Sequence, residues 1–141
     1  MKNNATKQLG FVVRGSVSEG LQIILSGDES IENYPIGSLV KIIGDQYEYL
    51  AMITNSKIED TIYGETLISN PRISSKTKRM IINSNPNFFR KQIIEVSLLS
   101  KKQKVSNIVE RADVTPVFNA YLVNVNEEDI KVFYKIKEEN Y

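Results

Sequence analysis

The chain has 141 residues, of which 41 % are apolar and 25 % are charged, and its net charge is +1. These values suit one globular domain with a substantial core, and the near-zero charge gives no general attraction to nucleic acid or to anionic membranes. The absence of His and Cys excludes Ser-His-Asp triads, cysteine nucleophiles, disulfides and zinc sites of the usual nitrogen and sulfur type. The lack of Cys fits a reducing cytoplasm, and no apolar run is long enough to predict a transmembrane helix.

The first two strands are marked by apolar residues at every second position. Leu9, Phe11 and Val13 follow this period, which predicts a strand with one buried face. Residues 21–25 repeat the pattern, and the turn formers GSVSEG lie between the two runs at 15–20. Two antiparallel strands joined by a tight turn are therefore predicted.

A second hairpin is predicted after a polar loop at 26–37. Residues 39–43 are almost wholly apolar, which indicates a strand with both faces buried. Gly-Asp-Gln at 44–46 is typical of a hairpin turn, and the run at 47–58 is long enough that we expect it to bend or to pair with two neighbours. Four short strands joined by tight turns, with edges to protect, predict a small closed β-barrel.

The middle of the chain is less regular. Residues 59–71 mix apolar and turn residues without a clear period. Ser74 or Ser75 is placed to cap a short helix, which the Asn-Pro pair at 85–86 ends. Apolar residues then alternate through 90–103, which predicts another strand.

A solvated turn is predicted to follow this strand. Lys101, Lys102 and Lys104 lie there, and a solubilising role is the simplest interpretation of these lysines. The run at 117–125, which follows a proline, indicates one further strand.

The C-terminal segment is predicted to form an amphipathic helix. Asn126 is placed to cap it, and Asp129 lies at the capping-box position three residues later. Ile130, Phe133 and Tyr134 share one face of such a helix, so we expect this face to dock on the barrel.

Neither the glycine-rich turn nor the acidic loops indicate a catalytic site. A phosphate loop requires GxxxxGK[ST] before a helix, whereas Leu21 follows Gly20 here and begins a strand. Carboxylates gather at 28–32 and at 59–60, but without the spacing of a calcium site, and solvated loops explain them better. No catalytic, cofactor-binding or metal-binding residue is assigned, and an enzyme acting through carboxylates is left as a third hypothesis.

Basic residues flank a pair of adjacent phenylalanines near the predicted helix. Such a pattern is typical of surfaces that bind single-stranded nucleic acid, and small barrels often bind oligonucleotides. A free-standing barrel that binds single strands is therefore the alternative function. The residues expected to make this contact are Lys76, Lys78, Arg79, Phe88, Arg90 and Lys91.

Three stretches of the first sixty residues resemble the N-terminal barrel of HerA-like ATPases. This HAS-barrel is itself similar to the N-terminal barrel of rotary ATP synthase subunits. The stretches are LGFVVRGSVSEGLQIILSG, IGSLVKI and YLAMITNSKIED, in which the shared pattern is carried by Gly10, Gly15, Gly20, Leu21, Gly37, Val40, Ile42, Met52, Ile53 and Thr54. The resemblance is good over 7–60, moderate over 112–134 and slight over 61–111.

The resemblance implies a mainly β fold, a small closed barrel with one or two short helices. The expected organisation is a disordered tail at 1–6 and a barrel at 7–125 with an irregular insertion at about 61–111. Residues 126–141 would then form a helix and the start of a linker to an ATPase domain that this chain lacks.

The resemblance also implies an assembly and partner-docking role without catalysis in this fragment. ATP and Mg²⁺ are expected only for the missing motor domain, so no cofactor is expected here. The implied partners are that ATPase domain, the neighbouring subunits of a hexameric ring and, in some relatives, a nuclease; DNA is contacted indirectly, in the cytoplasm and without a membrane. A few aromatic or arginine anchors that become buried in the interface carry most of the binding energy of such contacts, and the candidates are Tyr34, Tyr63 and Phe88.

Overall fold

A computed structural model describes residues 7–117 and 119–139, the side chains of 135–139 excepted. The strands are β1 (Gly10–Ser16), β2 (Gly20–Leu25), β3 (Leu39–Ile43), β4 (Tyr47–Asp60), β5 (Arg90–Gln103), β6 (Val109–Arg111) and β7 (Tyr121–Val123). The helices are α1 (Ile62–Ile68), α2 (Ser75–Ser84), α3 (Pro86–Phe89) and α4 (Glu127–Glu139), with a short 3-10 helix at Ile31–Asn33. The predicted disordered tail at 1–6 lies outside the described residues.

Six antiparallel strands close into a barrel. Their order is β2-β1-β7-β3-β4-β5, and β5 pairs with β2 to complete the circle. Strand β6 adds to β5 at its C-terminal end, outside the circle. The predicted mainly β fold and closed barrel are therefore confirmed, with four short α-helices in the described chain where the sequence indicated one or two.

The first hairpin forms as predicted, between β1 and β2. Gly15 makes the turn possible because its φ is +122°, and a Cβ there would lie 2.2 Å from the carbonyl oxygen of Gly20. An L-residue with a side chain would therefore clash as well as adopt an unfavourable backbone conformation.

The predicted inward face of β1 is wrong. Val12, which pairs with Ile23, is buried, whereas Phe11 and Val13 are exposed; only Leu9 is buried as expected. Apolar residues occupy both faces of this strand, so the alternation alone could not select one. By contrast, the predicted inward face of β2 is confirmed.

The barrel interior is filled by apolar side chains from all six strands. The buried members of this cluster include Val12, Leu21, Ile23, Ile42, Ile53, Ile94, Val96 and Leu122. The long strand β4 bends at two bulges, pairs with β3 along its first half, and pairs with β5 along its whole length, as the sequence predicted.

Residues 61–89, called the helical excursion below, leave and rejoin the barrel at one point. Asp60 at the end of β4 pairs directly with Arg90 at the start of β5. The predicted helix is present as α2, with the Ser74 hydroxyl accepting a hydrogen bond from the Thr77 amide. All of 61–89 is described, and none of its residues belongs to the interior cluster. Residues 90–103 form the barrel strand β5. The segment 61–111, which was expected to be an irregular insertion, therefore consists of the excursion, this strand and the residues that follow it.

The solvated turn expected at the end of β5 is wrong in part. Lys101 and Lys102 belong to the strand and are buried, while Lys104 is exposed. The last barrel strand is also shorter than the predicted 117–125, because only Tyr121–Val123 pairs with β1 and β3.

The capping box of α4 is confirmed. The Asn126 amide donates to Asp129 Oδ2 over 3.0 Å, and the Asp129 amide donates to Asn126 Oδ1 over 2.8 Å. The expected docking face is only partly correct: Phe133 is buried, but Ile130 and Tyr134 are exposed. Of the three side chains predicted to face the barrel, only Phe133 is therefore buried, and the other two face solvent.

Candidate functional site

The long β4–β5 pair gives the molecule two distinct ends. Asp60 opposite Arg90 marks the helical end, where the excursion begins and returns. Tyr47 opposite Gln103 marks the turn end, where the β3–β4 turn and the β5–β6 loop lie. The predicted binding residues all belong to the helical end, with the exception of Tyr34.

At the helical end, Thr61 joins the start of α1 to the end of α3. Its hydroxyl accepts from the Gly64 amide over 3.2 Å and donates to the Phe88 carbonyl over 2.8 Å. The Thr61 amide donates to the carbonyl oxygen of Phe89, also over 2.8 Å. This capping residue therefore satisfies free backbone groups of both helices at once.

The join brings together two of the predicted interface aromatics. The rings of Tyr63 and Phe88 stack with centroids 4.6 Å apart and an interplanar angle of 26°, and Phe89 packs edge-on against Phe88. Tyr63 is 57 % exposed and Phe88 is 46 % exposed. A stacked pair that stays this exposed offers a flat apolar surface to a ligand or a partner.

Tyr34, the third predicted anchor, is not available to a partner. It is only 5 % exposed, and its ring belongs to the interior cluster. Its hydroxyl donates to the Glu29 carboxylate. Burial, and then this hydrogen bond and the negative charge of Glu29, raise the pKa of Tyr34 above its ordinary value.

Three of the predicted basic residues line one open cleft. The cleft has a volume of about 360 Å³ and is lined by Ile68, Ser75, Lys78, Arg79, Ile82, Asn83 and Arg90. Lys78 Nζ donates to the carbonyl oxygen of Ile68, which fixes the ammonium beside α1. Arg90 Nε donates to Asp60 Oδ1 over 3.0 Å.

The other two predicted basic residues do not line this cleft. Lys76 lies on α2 and is exposed. Lys91 follows Arg90 in β5, so its side chain points to the other face of the strand, and it lies 4.0 Å from Glu59. The structure therefore brings together half of the predicted nucleic-acid residues in the cleft. Phe88 belongs to the aromatic pair, two residues before Arg90 in the chain.

The turn end carries an apolar surface that the sequence analysis missed. Four of its apolar side chains are exposed, led by Val105 at 94 %: Val105, Ile108, Val114 and Val117. Two open clefts of about 330 and 240 Å³ lie there and share Asp45 and Gln46 in their linings. The sequence does not predict this surface, because isolated apolar residues in loops form no periodic pattern. These residues come together only when separate segments of the chain fold to the same end of the barrel.

Lys101 is the most deeply buried cation of the turn end. It pairs with Tyr49 across β4 and β5, so it shares the inward face of the barrel. Its Nζ lies 3.1 Å from Glu110 Oε2, 3.2 Å from Asp113 Oδ1 and 4.2 Å from the centre of the Tyr47 ring. Burial lowers the pKa of the ammonium, but its bonds to the two carboxylates outweigh burial and raise it overall.

A second ionic chain fixes α4 to the outside of the barrel. Lys102 Nζ lies 3.3 Å from Glu48 Oε1, which lies 3.7 Å from Lys41 Nζ. Lys41 Nζ in turn lies 2.8 Å from Asp129 Oδ1. Asp129 therefore caps α4 with one carboxylate oxygen and binds the barrel with the other.

No protein-family model matches the chain, and no curated protein matches it. Within residues 7–117 and 119–139, no three His, Cys, Asp or Glu side chains gather as a metal site. In the same residues, no helix is long and apolar enough to cross a bilayer.

Proposed function

We propose that this chain is a non-catalytic assembly and partner-docking barrel, of the kind at the N-terminus of HerA-like DNA-translocating ATPases. The observation that supports it is the pair of exposed apolar surfaces at opposite ends of the barrel. Tyr63 and Phe88 form one, and the residues around Val105 and Val114 form the other. A subunit of a ring needs two unlike surfaces, because each head-to-tail contact joins different patches.

In this proposal the two surfaces join neighbouring subunits of a hexameric ring, with the helical end of one barrel against the turn end of the next. The chain's own ATPase domain is a further partner. ATP and Mg²⁺ belong to that domain, DNA is contacted indirectly through it, and a nuclease is a further partner of the assembled ring. The setting is the cytoplasm.

The buried charges support a structural role more than proton transfer. Three lysines of the barrel's turn half pair with carboxylates: Lys41 with Asp129 and Glu48, Lys102 with Glu48, and Lys101 with Glu110 and Asp113. Groups neutralised in this way are poor general acids or bases, since transfer of their protons would break buried ion pairs.

The first test is to read the gene beyond the codon for Tyr141. We expect the frame to continue into a strand, GxxxxGK[ST] and a helix, because the proposal needs a motor domain. A stop codon at that point would remove the motor and overturn the HerA-like assignment.

The second test concerns the surfaces themselves. In the protein with its motor domain, Val105→Asp combined with Ile108→Asp should dissociate the ring, as measured by analytical ultracentrifugation. Ile36→Asp is the matched control, since Ile36 is also an exposed apolar loop residue but belongs to neither surface. Equal effects of the two changes, or none from either, would contradict docking through the turn end.

A further inference from the structure

We propose that the helical end binds single-stranded nucleic acid, with phosphates in the cationic cleft and a base on the Tyr63–Phe88 pair. This activity goes beyond docking: it adds a direct contact to the indirect contact with DNA expected through the motor domain, and it requires the Tyr63–Phe88 pair to be free of a docking partner. It rests on three features of the helical excursion: its charge, the geometry of its cleft and its exposed rings.

The positive charge of the molecule is concentrated in the excursion. Residues 61–89 contain four basic residues, Arg72, Lys76, Lys78 and Arg79, and one acidic residue, Glu65. Their net charge of +3 exceeds the +1 of the whole chain, so the remainder is slightly acidic. A near-neutral total therefore conceals a local surface that attracts polyanions.

The cleft places its cations where a phosphodiester backbone can meet them. Lys78 is held beside α1 by the Ile68 carbonyl, and Arg79 follows it on α2. Arg90 uses Nε for Asp60, which leaves the other N–H donors of its guanidinium to face a phosphate. Ser75 and Asn83 supply neutral hydrogen-bonding groups in the same cleft.

The exposed aromatic pair selects for single strands. Phe88 is two residues from Arg90, so a base bound on its ring lies near a phosphate bound in the cleft. An unpaired base can stack on an exposed ring regardless of its identity, whereas the bases of a duplex are already stacked on each other. Phosphate contacts alone would not distinguish the two forms.

The test is fluorescence anisotropy with a labelled oligothymidylate and with a duplex of equal length. Three cations on three phosphates predict a log-log salt slope of about −2, or roughly a 20-fold loss of affinity between about 50 and 200 mM salt. We expect the duplex to bind more weakly than the single strand at each salt concentration.

Two variants separate the cleft from the rings. Lys78→Gln with Arg79→Gln should weaken binding and reduce the salt slope to about −0.7, since one phosphate contact remains. Phe88→Leu should weaken binding of the single strand about tenfold and leave the slope unchanged. Circular dichroism checks that each variant keeps its helices.

The matched controls remove positively charged side chains that lie outside the cleft. Lys104→Gln with Arg111→Gln removes two exposed cations at the turn end, and Lys76→Gln removes one from α2 outside the cleft. Neither should change the slope. Absence of binding at low salt, equal losses in control and cleft variants, or equal affinity for the duplex would each overturn the proposal.

Discussion

At the scale of single residues, Gly64 decides whether the aromatic pair can form. A Cβ at this position would lie 2.1 Å from the carbonyl oxygen of Phe89. Because that atom belongs to the backbone, it cannot move aside as a flexible side chain would. The close approach of α1 and α3, and therefore the stacking of Tyr63 on Phe88, depends on the absence of a side chain at one position.

Tyr34 gives the protein an alkaline limit of stability. Its raised pKa in the folded state means that the unfolded chain loses the phenolic proton first. The stabilisation is therefore complete below the unfolded pKa, near 10, and declines as pH rises above it. Tyr34→Phe should make this decline less steep, by up to about 1.4 kcal/mol of unfolding free energy per pH unit. Urea unfolding from about pH 8 to 12 measures the difference.

The control for this prediction is Tyr63→Phe, which changes a tyrosine that is largely exposed. Tyr49 also has a raised pKa because it is buried, so some alkaline decline should remain in both variants. The same decline in Tyr34→Phe and the unchanged protein would show that the Tyr34 hydroxyl has no part in it.

At the scale of elements, the attachment of α4 depends on Lys41. This ammonium lies between the carboxylates of Asp129 and Glu48, and all three side chains are less than one-fifth exposed. Lys41→Met would leave the Asp129 carboxylate without its cation, whereas Glu48 would keep its ion pair with Lys102. We expect a loss of about 2 kcal/mol in the free energy of unfolding, and faster hydrogen exchange of the amides at the start of α4.

Lys131→Met tests whether any lost cation would have this effect. Lys131 is exposed on α4 itself, so its removal should leave amide protection nearly unchanged. Equal protection of α4 in the two variants would mean that Phe133, rather than the ionic chain, holds the helix.

The elements that the sequence predicted well are those with local signals. The β1–β2 and β3–β4 hairpins follow from alternation and turn residues, and the caps of α2 and α4 follow from Ser74, Asn126 and Asp129 within three or four positions. The face of β1 was not predictable, because Val12 and Val13 are equally apolar and the choice depends on pairing with β2.

The candidate site was less predictable because its parts are distant in sequence. Tyr63 and Phe88 meet only because the excursion returns to its starting point. Lys101 is buried because Glu110 and Asp113 fold back over it from beyond β5, and Tyr34 is in the core because its loop packs inward. Composition identified the basic cluster, but only the packing of α2 beside α1 and the start of β5 showed which members share a cleft.

At the scale of the whole molecule, the barrel is complete without the excursion. The direct pairing of Asp60 with Arg90 means that a two-residue Asn-Gly turn in place of residues 61–89 can connect β4 to β5 as a hairpin. We expect this variant to unfold cooperatively in urea with strand content retained by circular dichroism, and to lose all binding at the helical end.

A chain carrying a Gly/Ser loop of the original length between Asp60 and Arg90 is the matched control for this shortening. It should fold too, since none of the described excursion residues belongs to the interior cluster. Failure of both chains to fold would show that the helices stabilise the barrel.

The seam between β1 and β7 determines how the barrel responds to force. Gly10 lies beside Leu122 and Phe11 beside Tyr121, so the chain enters and leaves the barrel at the same end of two antiparallel strands. Tension applied through residues before β1 and after β7 would load these hydrogen bonds one after another instead of together. The barrel is therefore mechanically weak along this line, and it would open by peeling at a small force while resisting stress applied across β4 and β5.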